Sequence, residues 1–162
     1  MHGGYFSYGL LAALAIALAI AAYTDLRRRQ IDNWLNASIA LGAPLFWLVN
    51  QQGWVDIVFH LIIALVMFIL LAGLFALRAM GGGDVKLLSA LALWIEPVWF
   101  VKLLMVMSVL GGLLTLVVVV RHFSSRRKGR IAVPYGIAIS FAGLWALASQ
   151  YLPVLSPELL SG

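Results

Sequence analysis

The sequence has no cysteine and only six acidic residues among 162. Without cysteine there is no disulfide and no thiolate metal site, and the redox compartment leaves no trace in the chain. The three histidines, His2, His60 and His122, are scattered without metal-ligand spacing, so neither a metal nor a cofactor is expected. Charge is also scarce: 10% of residues are charged, against about 25% in soluble domains. A chain this poor in charge cannot cover an ordinary water-exposed surface. No internal repeat, low-complexity tract or second domain is visible.

Long apolar runs dominate instead. The chain is 64% hydrophobic with a mean hydropathy of +1.03. Residues 5–24 and 58–77 each reach the roughly 20 residues that cross a bilayer. The sequence therefore reads as an all-α polytopic membrane protein, a single membrane-embedded domain over residues 1–162. Six apolar segments fall at approximately 5–24, 34–49, 54–77, 85–95, 97–120 and 131–152. The second contains Pro44, which neighbouring helices can accommodate in a membrane. The fourth is too short to span unless the preceding glycines extend it. It could instead merge with the fifth at Pro97, which would leave five spans.

Charge placement orients the segments. Only His2 precedes the first run, and Arg27, Arg28 and Arg29 follow it, the reverse of a secretory signal. A retained helix with its N-terminus outside is expected. Six spans then put residues 25–33, 78–86 and 121–130 on the inner side, with ten of the eleven basic residues. The exception, Lys102, can snorkel to the interface. A net charge of +5 in this arrangement marks cytoplasmic loops and anionic lipid as a partner rather than nucleic acid. The stretch "RHFSSRRKGR" (121–130) is the strongest such anchor.

The same topology sorts the acids. Asp56, Glu96 and Glu158 fall outside, and Asp25, Asp32 and Asp84 inside. Asp25 closes the first run and Asp84 opens the fourth, at about one depth and on one face. Two carboxylates brought close together hold one proton between them, the chemistry of an aspartic protease. Plainer readings stand beside this one. Asp84 can cap its own helix, and Asp25 can pair with Arg28 or Arg29. Asp32 can cap the second segment. Gly81, Gly82 and Gly83, in "RAMGGGDVKLLSA", either let another backbone approach Asp84 or form a flexible turn.

These residues match a pattern. "GGGDVK" resembles the GxGD motif of intramembrane aspartyl proteases in the form found in type IV prepilin peptidases. "DLRRRQIDN" supplies Asp25, Arg29, Ile31 and Asn33 of that family's first aspartate motif, with Asp32 where the family has proline. "VPYGIAISFAG" (133–143) is similar to its proline-containing motif in the last helix. The resemblance implies the GxGD protease fold with six transmembrane helices in the bacterial inner membrane. It implies Asp25 and Asp84 as catalytic acids near the cytoplasmic face. Gly81, Gly82, Gly83, Lys86, Arg29, Asn33, Pro134 and Tyr135 become supporting or substrate-binding residues. The expected substrate is a prepilin, with a basic leader and a hydrophobic helix, and pilus assembly machinery is a further possible partner. The short link after Asp25 and the lack of cysteine are similar to the short form of tight-adherence (Flp-type) pilus systems, without a methyltransferase. The resemblance also suggests that Lys86 or Arg29 pairs with an early acid of the mature pilin. Two other classes compete: a proton-coupled small transporter, which would place its acids near the midplane, and a non-catalytic pilus assembly subunit, which would not need both aspartates.

Overall fold

The structure is a computed structural model that describes residues 3–78, 80–124 and 134–159. The side chains of 121–124 and 152–159 are not described. Among the described residues six helices follow in order: α1 Gly3–Arg28, α2 Asn33–Val49, α3 Trp54–Ala76, α4 Gly82–Leu91, α5 Pro97–Ser124 and α6 Tyr135–Leu159. Each of the six expected segments overlaps one of these helices, the fourth only as far as Leu91. Three of the helices, at Gly4–Arg28, Trp54–Ala76 and Pro97–Val120, are long and apolar enough to cross a membrane. Arg126, Arg127, Lys128 and Arg130 of the basic stretch lie outside the described residues.

Each long helix buries one stripe. In α1 Leu14, Leu18, Ala21 and Asp25 are buried at spacings of three and four, which keeps them on one face. The stripe that packs the core thus also carries the carboxylate inward. In α5 the stripe is Phe100, Leu103 and Met107, and in α6 it is Ala138, Ile139, Ala142 and Ala146. Outward faces are apolar too, among them Leu65, Ile69, Leu70 and Val109, as for helices bathed in hydrocarbon.

The short helix α4 is the hub. It packs against α2, α3 and α6, while α1 packs on α2 and α6, and α5 on α6. Val85, Leu87, Leu88, Ala90 and Leu91 are all buried and cover most of its circumference, leaving Lys86 exposed. Gly82 and Gly83 extend the fourth segment at its start, yet it ends at Leu91. A turn over 92–96 separates it from α5, so the two do not merge into one bent helix.

The exit from α4 is buried, and its carbonyls need partners. Trp47 Nε1 donates to the Leu93 carbonyl at 3.1 Å, and Tyr151 Oη donates to that of Trp94 at 3.0 Å. Trp94 Nε1 in turn donates to the Ile39 carbonyl of α2 at 2.8 Å. The Trp94 ring fits because position 42 has no side chain: a Cβ there would lie 2.8 Å from Trp94 Cζ2. Lys102 stacks its ammonium over the Trp99 ring at 3.8 Å, one course open to a snorkelling lysine.

Helix directions gather chemistry at one end. Ser7 Oγ donates to Asn50 Oδ1 at 3.0 Å, which pins the start of α1 to the end of α2. At the opposite end, the C-termini of α1 and α3 meet the N-termini of α2, α4 and α6 around a cavity.

Gly42→Ala is expected to destabilise the protein by about 1–3 kcal/mol through overpacking. Adding Trp94→Phe removes the ring atoms that the new methyl meets, so the double variant should lose less than the sum of the singles. Thermal unfolding in detergent micelles checks both.

Candidate active site

The cavity has a volume of about 970 Å³. Asp25, Arg29, Asn33, Gly81, Gly82, Gly83, Asp84 and Tyr135 all line it, joined by Phe75, Arg78 and Met80. Of the residues expected to form a site, eight are thus brought together. Lys86 and Pro134 do not reach the cavity wall. Lys86 Nζ instead donates to Asn33 Oδ1 at 2.8 Å, bridging the first turns of α4 and α2. Pro134 stands just before α6 rather than within its first turn.

Asp25 is 5% exposed at the end of α1. The amides of Gly136 and Ile137, in the first turn of α6, face its carboxyl, and the Arg29 guanidinium acts on it from its own chain. A helix N-terminus attracts an anion in just this way. Gly136 is what lets the carboxyl approach. A Cβ there would lie 2.8 Å from Asp25 Cγ and 2.8 Å from Oδ2. Asp25 Oδ2 is buried with no hydrogen-bond partner among the described residues, although it lies in a cavity-lining residue. Such an oxygen is costly unless a bound molecule donates to it.

Helix α1 stops at Arg28 because Arg29 turns left-handed, with φ 53, and its amide returns to the Asp25 carbonyl at 2.8 Å. Arg78, past the end of α3, does the same with φ 58. Left-handed backbone costs a non-glycine residue about 1–2 kcal/mol, and both arginines sit on the cavity wall.

Asp84 is in the first turn of α4, two residues past its first helical residue, Gly82. It is therefore not the N-cap. Gly81 holds that position, with φ −73 and ψ 144, and its amide bonds back to the Asp84 carboxyl. This is the acidic half of a capping box. The glycine run is not a flexible turn: no described glycine has positive φ, and Gly82 and Gly83 are helical. The space is occupied instead. A Cβ on Gly81 would meet Asp84 Oδ2 at 2.9 Å, one on Gly82 would meet Phe75 at 3.3 Å, and one on Gly83 would meet Ile31 Cβ at 3.2 Å. Close approach is the reason for the glycines, and the partners are the chain's own α3 and the link before α2. Asp32 does take the N-cap position of α2, but its side chain makes no capping bond. Its backbone carbonyl accepts from Leu35 and Asn36 at 3.2 and 3.3 Å.

The two acids sense each other. Burial pushes the Asp84 carboxyl up, the Asp25 charge pushes it further, and the Gly81 amide opposes them; the outcome is about 6. Asp84 lies in the first turn of α4, outside the three helices long and apolar enough to cross a membrane.

Tyr135 closes the far wall. Thr115 Oγ1 donates to the Gly111 carbonyl at 2.7 Å, so the Tyr135 hydroxyl donates to Thr115 at 3.2 Å. Gly111 makes room for the ring: a Cβ there would lie 2.8 Å from Tyr135 Cε1.

No group of three or more His, Cys, Asp or Glu side chains suited to a metal occurs among the described residues. Sequence reasoning gave no role to Gly136, Gly111 or Asn36. Gly136 lies inside the motif "VPYGIAISFAG", but what it touches depends on a contact between the first and last helices.

The chain is thus a helical protein suited to a membrane, with two acids on one cavity. It belongs to the type IV leader peptidase family, whose model matches residues 12–116. The match contains both aspartates and the three glycines and stops before α6. No curated protein and no solved structure matches the chain.

Gly136→Ala should displace Asp25 and reduce peptidase activity at least about tenfold while membrane insertion and helix content persist, read by turnover and circular dichroism. Asp84 generates a second prediction. Between its ordinary 3.8 and about 6, the folded chain keeps a proton that the unfolded chain has released, so stability falls as pH rises through this window. Asp84→Asn should therefore raise the melting temperature more at neutral pH than at pH 4.

Proposed function

We propose that the chain is an aspartic endopeptidase that removes the basic leader from prepilins at the cytoplasmic face of the bacterial inner membrane. The observation that carries this reading is the pairing of Asp25 and Asp84 on one cavity, with the proton affinity of Asp84 raised by burial and further by the charge on Asp25. Membership of the leader peptidase family supplies the peptide-bond chemistry.

In this reading Asp84 carries the shared proton and Asp25 is ionised. Asp25 takes a proton from a water, whose oxygen attacks the scissile carbonyl carbon. The carbonyl electron pair moves onto oxygen, and Asp84 gives that oxygen its proton. The tetrahedral intermediate then collapses. Asp25 returns its proton to the leaving nitrogen, Asp84 recovers one from the diol, and the C–N bond breaks. The unpartnered Asp25 Oδ2 suits a bound water.

Six spans with the N-terminus outside agree with the positive charge at the cavity end, where Arg27, Arg28, Arg29, Arg78 and Lys86 lie. Anionic lipid would hold enzyme and basic leader at one surface. The Flp-type substrate class rests on the short link between Asp25 and α2, which is closed by three residues outside any helix after Arg29. Arg29 is the better placed of the two basic residues for an acid on the mature pilin, since the Lys86 ammonium already has Asn33.

Purified protein incubated with a synthetic prepilin should cut it once, at the leader boundary. Asp25→Asn and Asp84→Asn should each reduce the rate at least about 100-fold; a variant that cuts at the normal rate would refute the dyad. The pH profile follows from the pairing. Above about 6 the free enzyme loses the proton it must donate, so kcat/KM should fall on the alkaline side with an apparent value near there.

A further inference from the structure

A second cavity, of about 390 Å³, lies between α2, α3 and α4 and is almost entirely apolar. Its walls are mostly small, with Ala37 and Ala40 from α2, Ala64 from α3, and Ser89 and Ala90 from α4, and Lys86 stands beside Asn33 at one end. Small residues let another helix come close in a membrane, where packing rather than water drives association. Ala37 and Phe68 are exposed at its mouth, so it opens on the surface of the bundle. Asn33 lines both this groove and the aspartate cavity, so the two lie side by side.

One polar group on the wall is incomplete. Asn36 is 5% exposed, and its Nδ2 donates to the Gly83 carbonyl at 3.4 Å. That carbonyl can only accept, which fixes the amide's orientation. Asn36 Oδ1 is then left buried with no hydrogen-bond partner among the described residues. A buried acceptor beside an apolar slot calls for a donor that arrives with an apolar body. The first turn of a helix has that character, because its leading amides have no partner within the helix.

We propose that this groove seats the first turns of the substrate's apolar helix, on the mature side of the scissile bond, with Asn36 Oδ1 accepting a hydrogen bond from a free amide of that helix. The proposal rests on the leader-peptidase reading and deepens it. A helix entering the slot would present its N-terminal end at Asn33 and Asn36, one turn from Gly83 and Asp84. The extended stretch before it would run into the aspartate cavity. The groove therefore holds the part of the substrate that stays in the membrane, and the cavity holds the part to be cut. A helix with small residues on its leading face fits best.

The test separates the two cavities. Ala37→Phe fills the mouth of the groove without touching the core or the aspartates. Two substrates are compared: a full synthetic prepilin with its apolar helix, and a short peptide that ends soon after the scissile bond. Ala37→Phe should raise KM for the full substrate about tenfold, equivalent to about 1.4 kcal/mol, and leave kcat/KM for the short peptide unchanged. Equal kinetics on both substrates, or an equal loss on both, would overturn the groove assignment while leaving the peptidase reading intact. Wild-type protein that cuts neither substrate would overturn the peptidase reading itself. Binding is then read independently of turnover, with a benzophenone side chain at position 40 of the Asp84→Asn chain. Photolysis should attach it to the first two turns of the prepilin helix. Attachment to lipid alone, or to the leader, would refute the proposal.

Discussion

Missing volume is the constraint on which this structure depends. At positions 81, 83 and 136 a single methyl group would collide with Asp84, Ile31 and Asp25 in turn. Because those methyls are absent, the first turn of α4 lies against the link before α2, and the first turn of α6 lies against the end of α1. Two acids separated by 59 positions in the chain, at 25 and 84, thereby face one cavity. The electrostatics follow from the packing: each carboxyl is buried enough for its charge to matter, and close enough to the other to be felt.

The bundle can sustain this arrangement because its far end is firmly tied. Trp47, Trp94 and Tyr151 each place a polar hydrogen on a backbone carbonyl around the exit of α4. Such bonds contribute about 1 kcal/mol each and leave few alternatives in an apolar interior. Fixed below by these rings, α4 presents Asp84 above at a set height and angle. The cavity then occupies the room that a longer helix would have filled.

Much of this was legible in the sequence because apolar run length and charge placement act locally. The segments at 34–49 and 54–77 match α2 and α3 to within one residue at each end. The first and fifth helices run a few residues longer, through Arg28 and Ser124, where arginines continue the helix past the apolar boundary. The sixth begins at Tyr135 rather than at 131, since Pro134 supplies a start that hydropathy does not register. Asp25 and Asp84 were recognisable by their motifs and by their places at segment ends. What stayed hidden was pairwise: that Gly136 shelters Asp25, that Lys86 bonds to Asn33 instead of facing the cavity, and that the glycine run is packed rather than loose. None of these leaves a periodic trace, because each depends on which helices become neighbours.

The hub helix has one more implication, for how such a chain can diverge. Between Asp84 and Trp94 nearly every side chain is enclosed, and apolar exchanges of similar size are tolerable there. A change in length is not. One inserted residue would swing everything upstream by about 100° around the helix axis, turning the carboxylate away from its partner while the indole below kept its place. This stretch works as a gauge block: its composition is free to drift, and its residue count is not.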